Sequence, residues 1–228
     1  MNADARIRAV TFDVGGTLIQ PWPSVGHVYA GVAARHGVEN LLPEEINQQF
    51  RAAWRTKTNF NHTREDWAAL VERTFLGLAQ APPSQTFFPE LYDRFGVADA
   101  WKVFDDVLPS LEALATAGIR LAVISNWDER LRPLLYQLRL ADYFETIVVS
   151  CEVGFAKPSP VIFEHAAKKL GLPAASIFHV GDNFTADVQG ARDAGFRAIR
   201  IDRISPPSVH EQIGSLSELS RAALLEPV

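Results

Sequence analysis

Five short apolar runs, each continuous rather than alternating, decide what this chain can fold into: Ile7–Phe12, Leu121–Ile124, Thr146–Val149, Ile177–Val180 and Ala198–Ile201. A β-rich run with no polar face is a strand buried on both sides. Helical segments lie between the last four. Leu108–Ala117 has Pro109 in its first turn and Gly118 just past its end. Ser159-Pro160 opens a helix that runs to Leu170 before Gly171, and a third helix runs from about Thr185 to Ala194 before Gly195. This rhythm predicts an α/β fold, a doubly wound parallel sheet of Rossmann-like type with helices on both faces.

The stretch from Pro21 to Val103 breaks the rhythm. It shows no convincing strand and repeats helical spacing four times. Val25, Val28, Tyr29, Val32 and Ala33 make one stripe; Ile46, Phe50, Ala53 and Trp54 a second; Trp67, Leu70, Val71, Phe75 and Leu78 a third; Phe88, Leu91 and Phe95 a fourth. The expected organisation is therefore a core from residues 1–20 and 104–228 with an all-helical insertion at 21–103. The tail after Arg203 carries Pro206-Pro207 and a Ser-rich patch.

At 228 residues the chain has the length of one large domain or of a domain with an insertion. A net charge of -5 argues against a partner bound through its phosphate backbone, which calls for a basic face. No nucleic acid is expected as a partner. Cys151 is the single cysteine, so the chain forms no internal disulfide and no cysteine-based zinc site. Met1–Arg8 lacks the apolar core of a signal peptide, and no run approaches the ~20 residues of a membrane helix. The expected setting is cytoplasmic, away from membranes. Nothing in the sequence fixes the oligomeric state.

The residues that follow the strands carry the chemistry. The first run ends in Asp13-Val14-Gly15-Gly16-Thr17 and the second in Ser125-Asn126. Lys157-Pro158 comes shortly after the third, and the fourth ends in Gly181-Asp182-Asn183-Phe184-Thr185-Ala186-Asp187. Ligands of open parallel sheets bind beyond the carboxyl ends of the strands, so these groups should converge. Asp13 and Asp182 would repel unless a divalent cation sat between them, and Mg²⁺ suits such hard oxygen ligands. Lys157 adds a positive charge. Ser125, Asn126 and the backbone N–H near Gly16 offer donors to phosphate oxygens. The set describes a phosphoryl-transfer site on a small phosphorylated substrate, with Asp13 as nucleophile.

The four segments, DVGGT, SN, KP and GDNFTAD, resemble in order and context the four motifs of the haloacid dehalogenase-like hydrolase superfamily over residues 7–202. The contexts VISNWD and HVGDN resemble one of its subgroups. The resemblance implies that the helical insertion is a cap. It implies Mg²⁺ held by Asp13, the Gly15 carbonyl and Asp182. Asp187 would support either the metal site or Lys157, and Thr17 would back the nucleophile loop. Ser125 and Lys157 would hold the transferring phosphoryl group.

One departure stands out. Phosphatases of the superfamily carry an Asp two residues after the nucleophile to protonate the leaving group; here that residue is Gly15, a glycine also suited to positive φ. Loss of a general acid typically costs ~10²–10⁴-fold. His62 and Glu65 from the insertion are candidate substitutes. A slow or silent phosphate-binding protein is therefore the alternative to a phosphatase. A 2-haloacid dehalogenase is disfavoured by Gly15 and by Asp182. His179, on a buried strand, reads as core, and Trp127 as either packing or an entrance wall.

Overall fold

Burial on both faces makes the apolar runs one parallel sheet. The computed structural model describes residues 6–58, 60–204 and 212–219; Pro206-Pro207 lies outside them. The chain begins with β1 (Ala9–Phe12) and β2 (Ile19–Pro21). It then forms α1 (Val25–Arg35), α2 (Pro43–Arg55), α3 (Arg64–Thr74) and α4 (Phe88–Arg94), and returns on β3 (Trp101–Val103). After that it alternates: α5 (Val107–Thr116), β4 (Arg120–Ser125), α6 (Leu131–Gln137), β5 (Thr146–Val149), α7 (Ser150–Val153), α8 (Pro160–Leu170) and β6 (Ile177–Gly181). A π-helical segment, Phe184–Gln189, leads into α9 (Gly190–Asp193), β7 (Arg197–Ile201) and β8 (Gln212–Ile213). Two compact units result: one takes in the chain up to Ile19 and again from Val103, the other is Gln20–Lys102.

The first unit holds a six-stranded sheet in the order β5-β4-β1-β6-β7-β8, with every neighbouring pair parallel. Strand order reverses at β1, which puts the crevice of a doubly wound sheet beyond its carboxyl end. Side chains alternate across the sheet. Ala9, Ala122, Ile124, Val148 and Ile177 pack with Ile162, Phe163 and Ala166 of α8 and Ala191 of α9. The intervening Val10, Phe12, Leu121 and Val123 are equally buried, as are Leu111 and Leu114 of α5, which packs on β4. Helices therefore cover both faces.

Three details differ from the expectation. The first strand starts at Ala9 rather than Ile7, and β4 and β6 run on into Ser125 and Gly181. Residues 21–103 are not free of strands. Short β2 and β3 pair with each other at the two ends of the insertion, and β8 adds an edge beside β7. The single helix expected after Thr185 resolves into π-helical turns followed by α9. The widened turn lets the Asp187 side chain reach back across Gly181, as described below; such turns often occur at functional sites.

In the second unit the four stripes become four helices. Tyr29, Val32, Ile46, Val71, Phe75 and Leu91 share its core. Thr63 and Asp66 form a capping box at the start of α3. Among the described residues, no helix is long and apolar enough to cross a membrane.

Candidate active site

Register brings the polar residues together. Phe12 lies opposite Val123 of β4 and Val180 of β6, so Asp13 emerges level with the ends of both neighbours. Its N–H still donates to Val180 O at 2.9 Å, which continues the ladder. The chain then turns sharply. Leu18 N and Ile19 N donate to Val14 O at 2.8 and 3.1 Å, and Gly16 N donates to Ile19 O at 2.8 Å. Gly16 has φ +80°, and a Cβ there would lie 2.6 Å from Asp182 Oδ2. Only glycine lets this turn close on Asp182. Gly15, by contrast, is not among the residues with positive φ.

Lys157 is the centre of the arrangement. Its side chain is 2% exposed. Its Nζ donates to Asp13 Oδ1 at 2.7 Å, Ile124 O at 2.8 Å and Asp187 Oδ1 at 2.5 Å, which uses all three N–H bonds of the ammonium. Burial alone would lower its pKa, but the Asp13 and Asp187 charges overcome that and raise it. Ser125 Oγ donates to the same Asp13 Oδ1 at 3.1 Å. One carboxylate oxygen of Asp13 is thus fixed from two sides.

Asp187 backs this pair. Its Oδ2 accepts from Asn183 N at 2.9 Å, and His179 Nε2 lies 3.3 Å from Oδ1. A Cβ on Gly181 would stand 2.2 Å from Asp187 Cγ, so the carboxylate occupies the space a side chain would take. Burial, which would raise the Asp187 carboxyl, is overridden by Lys157 and His179, which hold it well below the usual range. His179 is fully buried, its Nδ1 is 2.8 Å from Thr11 Oγ1, and burial lowers its pKa. It belongs to the core, as the sequence suggests.

Asp13, Asp182 and Asp187 each offer a carboxylate oxygen within 4.8 Å of the others. Burial pushes the Asp13 carboxyl up, against the pull of Lys157. Asp182 is exposed at its outer edge, yet desolvation of its carboxyl, followed by the Asp13 and Asp187 charges, pushes it up to about 7. Three carboxylates share one ammonium here, a surplus of negative charge that a divalent cation would neutralise. Asp187 is already committed to Lys157, His179 and Asn183, which leaves Asp13 and Asp182 as the pair suited to hold a cation.

The remaining sequence candidates fall around this centre. Asn126 clamps the backbone of Lys157: its Oδ1 accepts from Lys157 N at 2.7 Å and its Nδ2 donates to Lys157 O at 2.9 Å. Thr17 is fully buried, its Oγ1 has no hydrogen-bond partner among the described residues, and its carbonyl accepts from Arg203 Nε and Nη2 at 3.1 and 2.6 Å. His62 and Glu65 lie in the helical unit. The His62 ring packs edge-on to Phe60, and Glu65 is exposed in the first turn of α3.

Arg203 was not legible as a site component, and Trp127 was legible only as packing or an entrance wall. Arg203 also donates to Asp106 at 3.0 Å and lies 3.8 Å over the Phe104 ring; its position just after a strand end was the available signal. Trp127 sets its indole against Gly15, where a Cβ would meet Cζ3 at 3.2 Å. Ser150 fixes the Trp127 backbone at both its N–H and its carbonyl, each at 3.1 Å.

Comparison with known proteins agrees with this geometry. A family model for haloacid dehalogenase-like hydrolases matches residues 7–195. Human haloacid dehalogenase-like hydrolase domain-containing protein 3 is 33% identical over 207 residues, which are 86% of this chain and 82% of that protein. The phosphoglycolate phosphatase of Chromobacterium violaceum is 30% identical over 203 residues, 86% of this chain and 85% of that one. Among solved structures, a putative HAD-hydrolase of Bacillus subtilis bound to magnesium is similar, with a TM-score of 0.75 at 20% identity over 94% of this chain and 97% of that chain. The parallel sheet, the four strand-end segments and these matches lead to one conclusion: the chain belongs to the haloacid dehalogenase-like hydrolase family.

Proposed function

We propose that the protein is a Mg²⁺-dependent phosphatase acting on a small phosphorylated compound through a covalent aspartyl-phosphate at Asp13. The observation that carries this reading is the fixing of Asp13 Oδ1 by Lys157 and Ser125 beside a cluster of carboxylates with surplus negative charge. A carboxylate held in one orientation next to a buried ammonium is built to attack phosphorus. The named activity of the Chromobacterium relative supports the phosphatase class. Asp13 and Asp182, with the Gly15 carbonyl, would hold the metal, whose chemistry is to neutralise charge on the phosphoryl oxygens.

The residues divide the work. Asp13 forms the bond to phosphorus as the leaving oxygen departs, and water then cleaves the aspartyl-phosphate to return the carboxylate. Lys157 holds Asp13 and offsets its charge. Ser125 orients the same oxygen, Asn126 fixes the loop that carries Lys157, and Asp187 keeps Lys157 charged. We read Gln20–Lys102 as the cap that selects the substrate. A second reading, a slow or silent phosphate-binding protein, is favoured by Gly15, which cannot move a proton. Phosphate release from p-nitrophenyl phosphate with Mg²⁺ and with EDTA decides between them. Release that depends on Mg²⁺ supports the enzyme, and none in either condition supports the silent protein.

A further inference from the structure

The side chains that touch Asp13 or Asp187 are engaged. Lys157 has three N–H bonds and all three are engaged. Ser125 gives its one O–H to Asp13. Asp187 is tied to Lys157 and Asn183, and His179 is sealed in the core against Thr11 and Asp187. Asp182 sits in the carboxylate cluster suited to a cation. Displacement at phosphorus proceeds with attacking and leaving oxygens roughly in line. The leaving oxygen therefore points away from Asp13, out beyond the strand ends. The position at which the family's phosphatases carry the acid for that oxygen is here Gly15, with no side chain, and the indole of Trp127 lies against it.

Trp127 is held firmly. Ser150 grips its backbone from both sides. The next residue, Asp128, is 2% exposed and accepts from Arg130 N at 3.1 Å and from Arg130 Nε at 2.8 Å. Phe155, just after α7, and Phe184, which opens the π-helical segment after β6, are each 51% exposed. That end of the sheet therefore exposes aromatic surface, and Gly15 places no acid side chain in it.

We propose that the site is selective for phosphate monoesters whose leaving oxygen departs as a planar, conjugated anion, a phenolate or enolate, with the Trp127 indole as the wall against which that group lies. The inference rests on the phosphatase reading and adds its substrate class. A phenolic oxygen has a pKa of about 10, against roughly 16 for water-like alkoxides, so it can leave without a protein acid. The step balances. The Asp13–phosphorus bond forms as the phosphorus–oxygen bond breaks, and the electron pair leaves with the phenolate, which takes its proton from solvent. Water then attacks phosphorus, the Asp13 carboxylate leaves, and of the water's two protons one stays on the phosphate product and the other passes to solvent. Flat aromatic groups stack favourably on indole.

The test is a leaving-group series on the whole protein with Mg²⁺: aryl phosphates of similar size and graded phenol acidity, an alkyl phosphate, and acetyl phosphate, which is activated but not aromatic. The proposal expects kcat/KM to fall steeply with rising leaving-group pKa, by ~10²–10⁴-fold from nitrophenyl to alkyl phosphate. It also expects Trp127→Leu to lower the ratio of aryl to acetyl phosphate turnover by about tenfold. That ratio is unmoved by a mere loss of folded protein. A flat series with ready alkyl turnover overturns the proposal and leaves the phosphatase reading intact, because a donor such as His62 or Glu65 must then serve. An unchanged aryl-to-acetyl ratio in Trp127→Leu removes the indole wall. Failure to turn over any of these esters or acetyl phosphate overturns the phosphatase reading and the substrate class with it.

Discussion

Gly16 and Asp182 approach so closely that a methyl group on Gly16 would come within 2.6 Å of Asp182 Oδ2, at a backbone φ of +80°. The nucleophile turn and the fourth motif are in contact only because no side chain separates them. Gly16→Ala should therefore lose stability and any Mg²⁺-induced rise in melting temperature together. Gly37 is the control. It has φ +79° with nothing within 4 Å of an added Cβ. Gly37→Ala should cost only the backbone term, about 1–2 kcal/mol, and keep the full Mg²⁺ response. Thermal melts with and without Mg²⁺ compare the two.

The raised pKa of Asp182 makes a prediction with a definite sign. A carboxyl near 7 in the folded protein, against about 4 unfolded, means that the folded state keeps a proton that the unfolded state releases. Stability of the metal-free protein should therefore fall as pH rises from about 4 to 7. Asp182→Asn should flatten that slope. Mg²⁺ must displace the same proton, so its affinity should rise with pH and level off above 7. Melting temperature against pH, with and without Mg²⁺, checks both statements.

A glycine suited to positive φ stands where an acid would be expected, and a positive φ would itself resist an Asp there. The structure places positive φ at Gly16 and puts the Trp127 ring 3.2 Å from the Cβ that Gly15 lacks. The obstacle is therefore an indole and not the backbone. Gly15→Asp alone should gain little on alkyl phosphates. Gly15→Asp combined with Trp127→Ala should gain more, up to about 10²-fold, because the new carboxyl then has room. Initial rates on one alkyl phosphate for the wild type, both single variants and the double variant measure the coupling.

Arg203 should behave as a positioning residue. It joins the Thr17 carbonyl to Asp106, whose Oδ2 also accepts from Ser215 Oγ at 2.7 Å and Leu216 N at 2.6 Å. Arg203→Lys keeps the charge but loses the fork that grips both partners. It should weaken Mg²⁺ affinity several-fold in calorimetric titration while the fold persists. Unchanged affinity would mean that the clamp serves stability alone.

The sheet and the strand-end segments were readable because burial on both faces leaves continuous apolar runs, and because parallel topology delivers every strand end to the same edge. Ser125, Lys157 and Asp187 followed from that geometry. The two- and three-residue strands β2, β3 and β8 were not readable, since such lengths carry no periodicity. The π-helical turn at Phe184–Gln189, which lets Asp187 fill the space beside Gly181, carries no signal in apolar periodicity. Arg203 meets Thr17 across 186 residues, and Trp127 meets Gly15 from the far side of the helical insertion. Local sequence does not encode either encounter.

The central claim is that Asp13 carries the phosphoryl group. The most direct measurement is acid quench during turnover of acetyl phosphate or an aryl phosphate, followed by peptide mapping of the phosphorylated residue by mass spectrometry, in the wild type and in Asp13→Asn. The account predicts a phosphorylated Asp13 in the wild type, and neither label nor turnover in a folded Asp13→Asn protein, because an amide is a far poorer nucleophile than a carboxylate. Phosphate release by Asp13→Asn at the wild-type rate, with contaminating phosphatase excluded, or a label mapped to any other residue, would contradict it.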